Sequence, residues 1–166
     1  MRLTLLLLIG IVISLAAPAA AEDLGTPAGR VVLTVEGAVS RTNAGDTAQF
    51  DLAMLEAMPQ HEITTSTPWA PGLTRFSGPR LSDLLDRVGA NGTALRATAL
   101  NDYRAVIPMA DAAKYGVILA LRADGRRLSV RERGPVWVIY PLDCEPAMRE
   151  AFKDLMVWQL SRLRVE

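Results

Sequence analysis

The sequence predicts a strand-dominated α+β fold built as a single domain with a mixed sheet, and three observations carry that prediction. Segments with two-residue apolar alternation outnumber segments with helical periodicity, and the helical segments are short. The chain has 166 residues, and once an N-terminal leader is set aside it holds enough for one hydrophobic core and too little for two. Charge is balanced, with 18 basic and 18 acidic side chains. Such a surface gives no electrostatic reason to expect nucleic acid or an anionic membrane as partner.

The leader is residues 1–21. Arg2 precedes an apolar run over residues 3–15, which is followed by Pro18, Ala19, Ala20 and Ala21. The run is short for a hydrocarbon core of about 30 Å, and Ala19 with Ala21 supplies the small-x-small pattern that signal peptidase accepts. The expectation is an exported, periplasmic protein with a cleaved signal peptide, soluble from Glu22 onward. Residues 22–29 contain Gly25, Pro27 and Gly29 and read as a disordered lead-in, so the domain occupies residues 30–166.

The first strand is predicted where Val31, Leu33 and Val35 alternate with Val32, Thr34 and Glu36 and Gly37 closes the run. A second short strand covers residues 47–50. Asp51 then caps a helix in which Leu52, Leu55 and Met58 recur at three-residue spacing before Pro59 stops it. Residues 61–67 are β-branched and polar and favour extended backbone. Two prolines and a glycine make residues 68–73, with Trp69, a turn-rich loop. Leu81, Leu84, Leu85 and Val88 define one face of a helix that Gly89 ends.

The second half is denser in strands, predicted at residues 94–100, 103–107, 117–121, 127–130 and 136–140. Asp124-Gly125 is a tight hairpin signal, because both central positions of that turn require positive φ. A last amphipathic element at 146–152 precedes a closing strand at 157–165.

The chain lacks the usual catalytic motifs. His61, beside Glu62, is the single histidine and reads as a surface residue, and there is no paired metal-ligand spacing, nucleophile elbow or glycine-rich phosphate loop. Cys144 is the only cysteine, so no intramolecular disulfide forms. Its flanking acids, Asp143 and Glu145, disfavour a reactive thiolate. Trp137 and Trp158 fall in apolar strands and read as core.

Three stretches occur in a telling order: FSGPRLSDLLDRVGA from residue 76, ALNDYRAVIPMADAAKYGVILALRADGRRLSVRERGPVWVIYP from residue 99, and MVWQLSRLRV from residue 156. Together they resemble the sulfite-oxidase-type molybdopterin-binding domain. The resemblance covers residues 30–166 and rests on the order of its motifs: F-x-G-x-x-L-x-x-L-L at Phe76 to Leu85, the polar-Tyr pair Asp102-Tyr103, A-x-x-x-x-G-x-x-L at Ala120 to Leu128, and G-P-x-x-x-x-x-P at Gly134 to Pro141.

The resemblance also marks departures. Enzyme members place a cysteine thiolate on molybdenum four residues ahead of a tryptophan, and here that position is Thr65, a poor ligand for a soft metal. Cys144 lies outside the matching loop. Where many members read H-G-G-P, this chain reads Glu132, Arg133, Gly134, Pro135. The expected ligand is therefore a pterin or molybdopterin-like heterocycle, with no metal and no catalytic residue.

A pterin offers a flat ring to stack on and a polar edge to hydrogen-bond. The candidate ligand-binding residues are Trp69, in the loop that the resemblance places at the site; Thr64, Thr65, Ser66 and Thr67 for their hydroxyls; Asn101, Asp102 and Tyr103 for a polar turn; and Arg75 and Arg104 for a polar tail. Small periplasmic proteins that resemble this domain and lack the metal-binding cysteine bind reduced pterins and regulate membrane-bound cyclic-di-GMP enzymes. The resemblance thus implies a sensor with such a signalling enzyme as partner. Two alternatives stand beside it: a molybdopterin-dependent oxidoreductase with atypical metal coordination, and a ligand-free structural or partner-binding domain.

Overall fold

A computed structural model describes residues 23–143 and 149–166. The predicted leader and Cys144 lie outside the described residues. Eleven strands and four short helices are described, in the order β1 (Val31–Gly37), β2 (Ala48–Asp51), α1 (Leu52–Glu56), β3 (Gln60–Thr67), β4 (Ala70–Pro79), α2 (Leu81–Val88), β5 (Ala94–Ala99), β6 (Arg104–Pro108), α3 (Met109–Lys114), β7 (Ile118–Ala120), β8 (Arg122–Ala123), β9 (Arg126–Arg127), β10 (Trp137–Ile139), α4 (Arg149–Lys153) and β11 (Leu160–Val165).

The largest sheet has five strands in the order β2-β1-β11-β5-β6. Its closing strand is central: β11 runs parallel to β1 and antiparallel to β5. A four-stranded sheet, β3-β4-β8-β9, and a pair, β10-β7, complete the framework. The core gathers alternate residues of the large sheet, Leu33, Val35, Leu95, Ala97, Leu163 and Val165, with the apolar face of α2, Leu81, Leu84, Leu85 and Val88, all buried. Gly89 ends α2 in the left-handed conformation that the sequence requires of it.

Gly78, the glycine of the F-x-G motif, has a packing reason. A Cβ there would lie 1.9 Å from the carbonyl oxygen of Leu119, so β4 can cross β7 only at a residue without a side chain. The Asp124-Gly125 turn has the expected positive φ at both positions, 48° and 78°, and closes the β8–β9 hairpin.

Three expectations need correction. Residues 68–73 are only briefly a loop: the turn is confined to Pro68 and Trp69, and β4 starts at Ala70, paired to Thr67 across a bulge. Ladder hydrogen bonds from β3 outweigh the local proline and glycine signal there. The strand expected at 127–130 stops at Arg127, and Val130–Glu132 forms a 3-10 turn in which Ser129 and Glu132 make a reciprocal capping box. The lead-in is also held. Leu24 is buried in the core, the amides of Ala28 and Gly29 donate to Asp51 Oδ2 at 2.9 and 2.7 Å, and Asn43 donates to the Gly25 carbonyl. Asp51 thus caps α1 through Met54 N and anchors the N-terminal segment, and the Met54 and Gly29 amides hold its carboxyl below the ordinary range.

Candidate functional site

The β3–β4 turn, the β5–β6 turn and the segment after α4 meet around an aromatic cleft of about 250 Å³. Its walls are Trp69, Asn101, Tyr103, Lys153, Asp154, Met156, Val157 and Trp158. Trp69 meets Trp158 edge-on with centroids 4.9 Å apart and Trp137 at 5.9 Å, and Trp137 in turn packs on Phe76 at 5.2 Å. Trp137 is buried as expected and donates its indole N–H to the Met156 carbonyl at 3.0 Å. Trp158 is only half-buried and faces the cleft, a role its apolar sequence neighbours conceal.

The polar side of the cleft comes from the β5–β6 turn. Asn101 Oδ1 accepts from the Tyr103 amide at 3.2 Å, which leaves the Asn101 amide nitrogen without a partner among the described residues. Tyr103 donates its hydroxyl to the Asp154 carbonyl at 2.9 Å and ties the turn to the opposite wall.

Behind Trp69 and Trp137 lies a second cleft of about 200 Å³, bordered by Thr67, Arg126, Arg127, Glu132, Arg133 and Trp137. Arg133 stands between the clefts. Its guanidinium carbon is 5.6 Å from the Trp137 ring and 5.5 Å from the Trp158 ring, and it donates to the Trp69 carbonyl at 3.4 Å. Thr67 Oγ1 is buried in the wall of this cleft with no hydrogen-bond partner among the described residues.

The pleat divides the four hydroxyls of β3. Thr65 and Thr67 point inward and are buried, whereas Thr64 is exposed and Ser66 half-exposed. Thr65 and Ser66 are already committed to Asp143. Thr65 Oγ1 donates to Asp143 Oδ2 at 3.0 Å, Ser66 Oγ donates to Oδ1 at 2.9 Å, and the Ser66 amide also donates to Oδ2. Arg149 closes the cluster 2.5 Å from Oδ1. The Ser66 amide above all, then the two hydroxyls and the Arg149 charge, hold the Asp143 carboxyl below its ordinary value of 3.8 against the opposing effect of burial.

The remaining candidates lie elsewhere. Thr64 and Arg75 face each other in register on the exposed hairpin, where Arg75 is 3.9 Å from Glu62. Asp102 and Arg104 border a different cleft, on the outer face of the large sheet. Trp69, Asn101 and Tyr103 therefore share one cleft, Thr67 borders the adjoining one, and Thr64, Arg75, Asp102 and Arg104 contribute to neither. His61 Nε2 is 3.6 Å from Asp83 and borders neither cleft. The residues that sequence reasoning missed are Arg133, Asp143, Asp154 and Met156. Only Arg133 left a sequence signal, as the basic residue preceding Gly134-Pro135.

The fold is that of the molybdopterin-binding class, and comparison with known proteins says the same. Residues 25–145 match the oxidoreductase molybdopterin binding domain, and the chain belongs to that family. Among solved structures it is similar to the crystal structure of the sulfane dehydrogenase SoxCD from Paracoccus pantotrophus, with 20% identity and a TM-score of 0.62 over 80% of this chain. That likeness is one of fold, and this chain spans 37% of the dehydrogenase chain. No curated protein matches.

The family binds molybdopterin, and the residues present fit one part of that group. The tryptophan wall and the Asn101 amide, unpartnered among the described residues, suit a pterin ring, and Arg126 and Arg133 in the second cleft, which Asp124 and Glu132 share, suit an anionic tail. Among the described residues no group of three or more His, Cys, Asp or Glu side chains could hold a metal ion. Thr65, which the resemblance sets where enzyme members carry a cysteine, offers a hard hydroxyl that donates a hydrogen bond to Asp143.

Proposed function

We propose that this protein binds a pterin-like heterocycle without turnover and acts, after export to the periplasm, as a sensor for a membrane-bound cyclic-di-GMP enzyme. The observation that carries this reading is the contrast inside the β3–β4 hairpin. Thr65, which the resemblance sets at the metal-binding position of enzyme members, is locked by Asp143, while Trp69, four residues on, opens into a cleft with an amide unpartnered among the described residues. An enzyme of this class needs the first position active, whereas a binding protein needs only the second. Bound ligand would bias a partner only through a difference in affinity between the free and bound forms.

The test is to recover the protein from the periplasm of a host that makes molybdopterin, denature it, and analyse the released material by fluorescence, mass spectrometry and metal content. A metal-free pterin, with an N-terminus at Glu22, is the expected result. Stoichiometric molybdenum would overturn the binding reading in favour of an oxidoreductase. A ligand-free protein that also ignores added tetrahydropterin would leave the domain without a small-molecule role.

A further inference from the structure

The outward face of the five-stranded sheet concentrates positive charge that the balanced composition does not foretell. Arg96, Arg104, Arg162 and Arg164 are all exposed there. The strand registers set Arg164 beside Arg96, Arg162 beside Thr98 and Thr98 beside Arg104, so the guanidinium groups form two adjacent rows. Two adjoining clefts, of about 360 and 470 Å³, run across this face and share Leu100, Ser161 and Arg162, and Arg30 borders the second.

The acids nearby, Glu36, Asp102 and Glu166, offset part of this charge and leave an excess of guanidinium groups. Glu36 is divided between Arg162 at 3.6 Å and Arg164 at 3.3 Å, and Glu166 pairs with Arg96 at 2.8 Å. Arg30 and Arg104 have no ion pair among the described residues. Apolar side chains are interleaved with the charges: Val106 lies beside Arg96 in the sheet and is 54% exposed, and Leu100 and Val130 at the second cleft are 49% and 48% exposed. Crowded like charges with exposed apolar neighbours are unfavourable for an isolated surface and favourable for one that is covered.

We propose that this face docks an acidic, partly apolar segment of a partner protein. Guanidinium forks match carboxylates in pairs, the interleaved Val106, Leu100 and Val130 supply apolar contact, and two clefts that share Leu100, Ser161 and Arg162 give room for a peptide segment rather than a single small anion. The surface stands independently of the ligand reading. One added feature does rest on that reading: in the β5–β6 turn Asn101 and Tyr103 line the aromatic cleft while Asp102 and Arg104 line the arginine cleft, so one turn borders both.

The experiment titrates the purified protein, with no pterin present, into a fluorescein-labelled peptide alternating glutamate and valine, and reads fluorescence anisotropy. Saturable binding is expected, weakened about tenfold or more by Arg104→Glu and by Arg162→Glu and by less than about twofold by Arg75→Glu, which makes the same charge change on the other sheet. Arg104 has no ion pair to lose, so its variant keeps the fold, and circular dichroism with thermal unfolding checks this. Absence of saturable binding by the wild type, or equal weakening by all three variants, would overturn the proposal. So would tighter binding to phosphatidylglycerol vesicles with the same variant dependence, which would make the face a lipid contact. Because no pterin is present, failure here leaves the ligand reading untouched, and failure there leaves this one.

Discussion

Two neighbouring parts of one hairpin contrast sharply. At Thr65 and Ser66 both hydroxyls and the Ser66 amide are taken up by Asp143, which Arg149 in turn pairs. At Trp69, in the turn itself, the walls are aromatic, the Asn101 amide nitrogen has no partner among the described residues and a cleft remains. Hydrogen bonds that satisfy a buried site also occupy it, so the closed part reads as structure and the open part as recognition. The same scaffold can lose chemistry while retaining a pocket, because the two functions sit on different residues.

The largest effect should come from removing the ring on which the aromatic cleft rests. Trp137 packs against Trp69 and Phe76 and borders the second cleft. Trp137→Ala should cost about 3–5 kcal/mol, as for other buried tryptophans, and remove pterin binding along with much of the fold's stability. Chemical denaturation followed by far-ultraviolet circular dichroism measures this. Trp69→Ala sharpens the comparison, because Trp69 is only half-buried. It should cost about 1–2 kcal/mol in stability and weaken binding of a reduced pterin about tenfold or more, read by calorimetry. Unchanged affinity would show that the aromatic cleft is not the binding site.

Much of the fold is legible in the sequence because it follows from local rules. The α2 boundaries follow from helical periodicity and Gly89, and the β8–β9 turn follows from Asp124-Gly125. The insertion of β11 between β1 and β5 is not legible, since alternation tells which face of a strand is buried and not which strand it pairs with. The site divides the same way. Trp69, Asn101 and Tyr103 are visible as residue types in turns. The Asp143 contact joins Ser66 to a residue 77 positions away and has no local signature. The four hydroxyls of β3 look like one cluster in sequence until the pleat sends Thr65 and Thr67 inward.

Breaking the closed part should cost less than breaking the aromatic floor. Asp143→Ala leaves the buried Thr65 hydroxyl with only a 3.4 Å contact to the Ser66 carbonyl, and since the carboxylate is one-third exposed the loss should be about 1 kcal/mol at neutral pH. The sign with pH follows from the depressed carboxyl. Its contribution is fully present above the unfolded value near 3.8 and is lost as pH falls through the lower folded value. Thermal unfolding of wild type and variant should therefore differ by a constant amount above about pH 5 and converge in the acid range below about pH 4. Asp51 is depressed as well, so only the difference between the two proteins isolates Asp143. A gap that persists unchanged at the lowest pH would mean that packing, and not the carboxylate, holds the closed part.

The smallest effect tests whether the open part extends into the second cleft. Thr67 buries a hydroxyl with no partner among the described residues, close to Arg126, Arg127 and Arg133. In the ligand-free protein that oxygen is a net cost, so Thr67→Val, which keeps the β-branch and removes the polar atom, should raise stability by up to about 1 kcal/mol. The identical substitution at Thr65, whose hydroxyl is satisfied by Asp143, should lower it by a similar amount. A pterin with an anionic tail reaching the second cleft would gain a hydrogen bond from Thr67, so Thr67→Val should weaken that ligand a few-fold and leave a tailless pterin unaffected, read by competition calorimetry. Opposite stability changes at two threonines two residues apart on the same face of β3 would show that the two parts differ in hydrogen-bond satisfaction and not in burial.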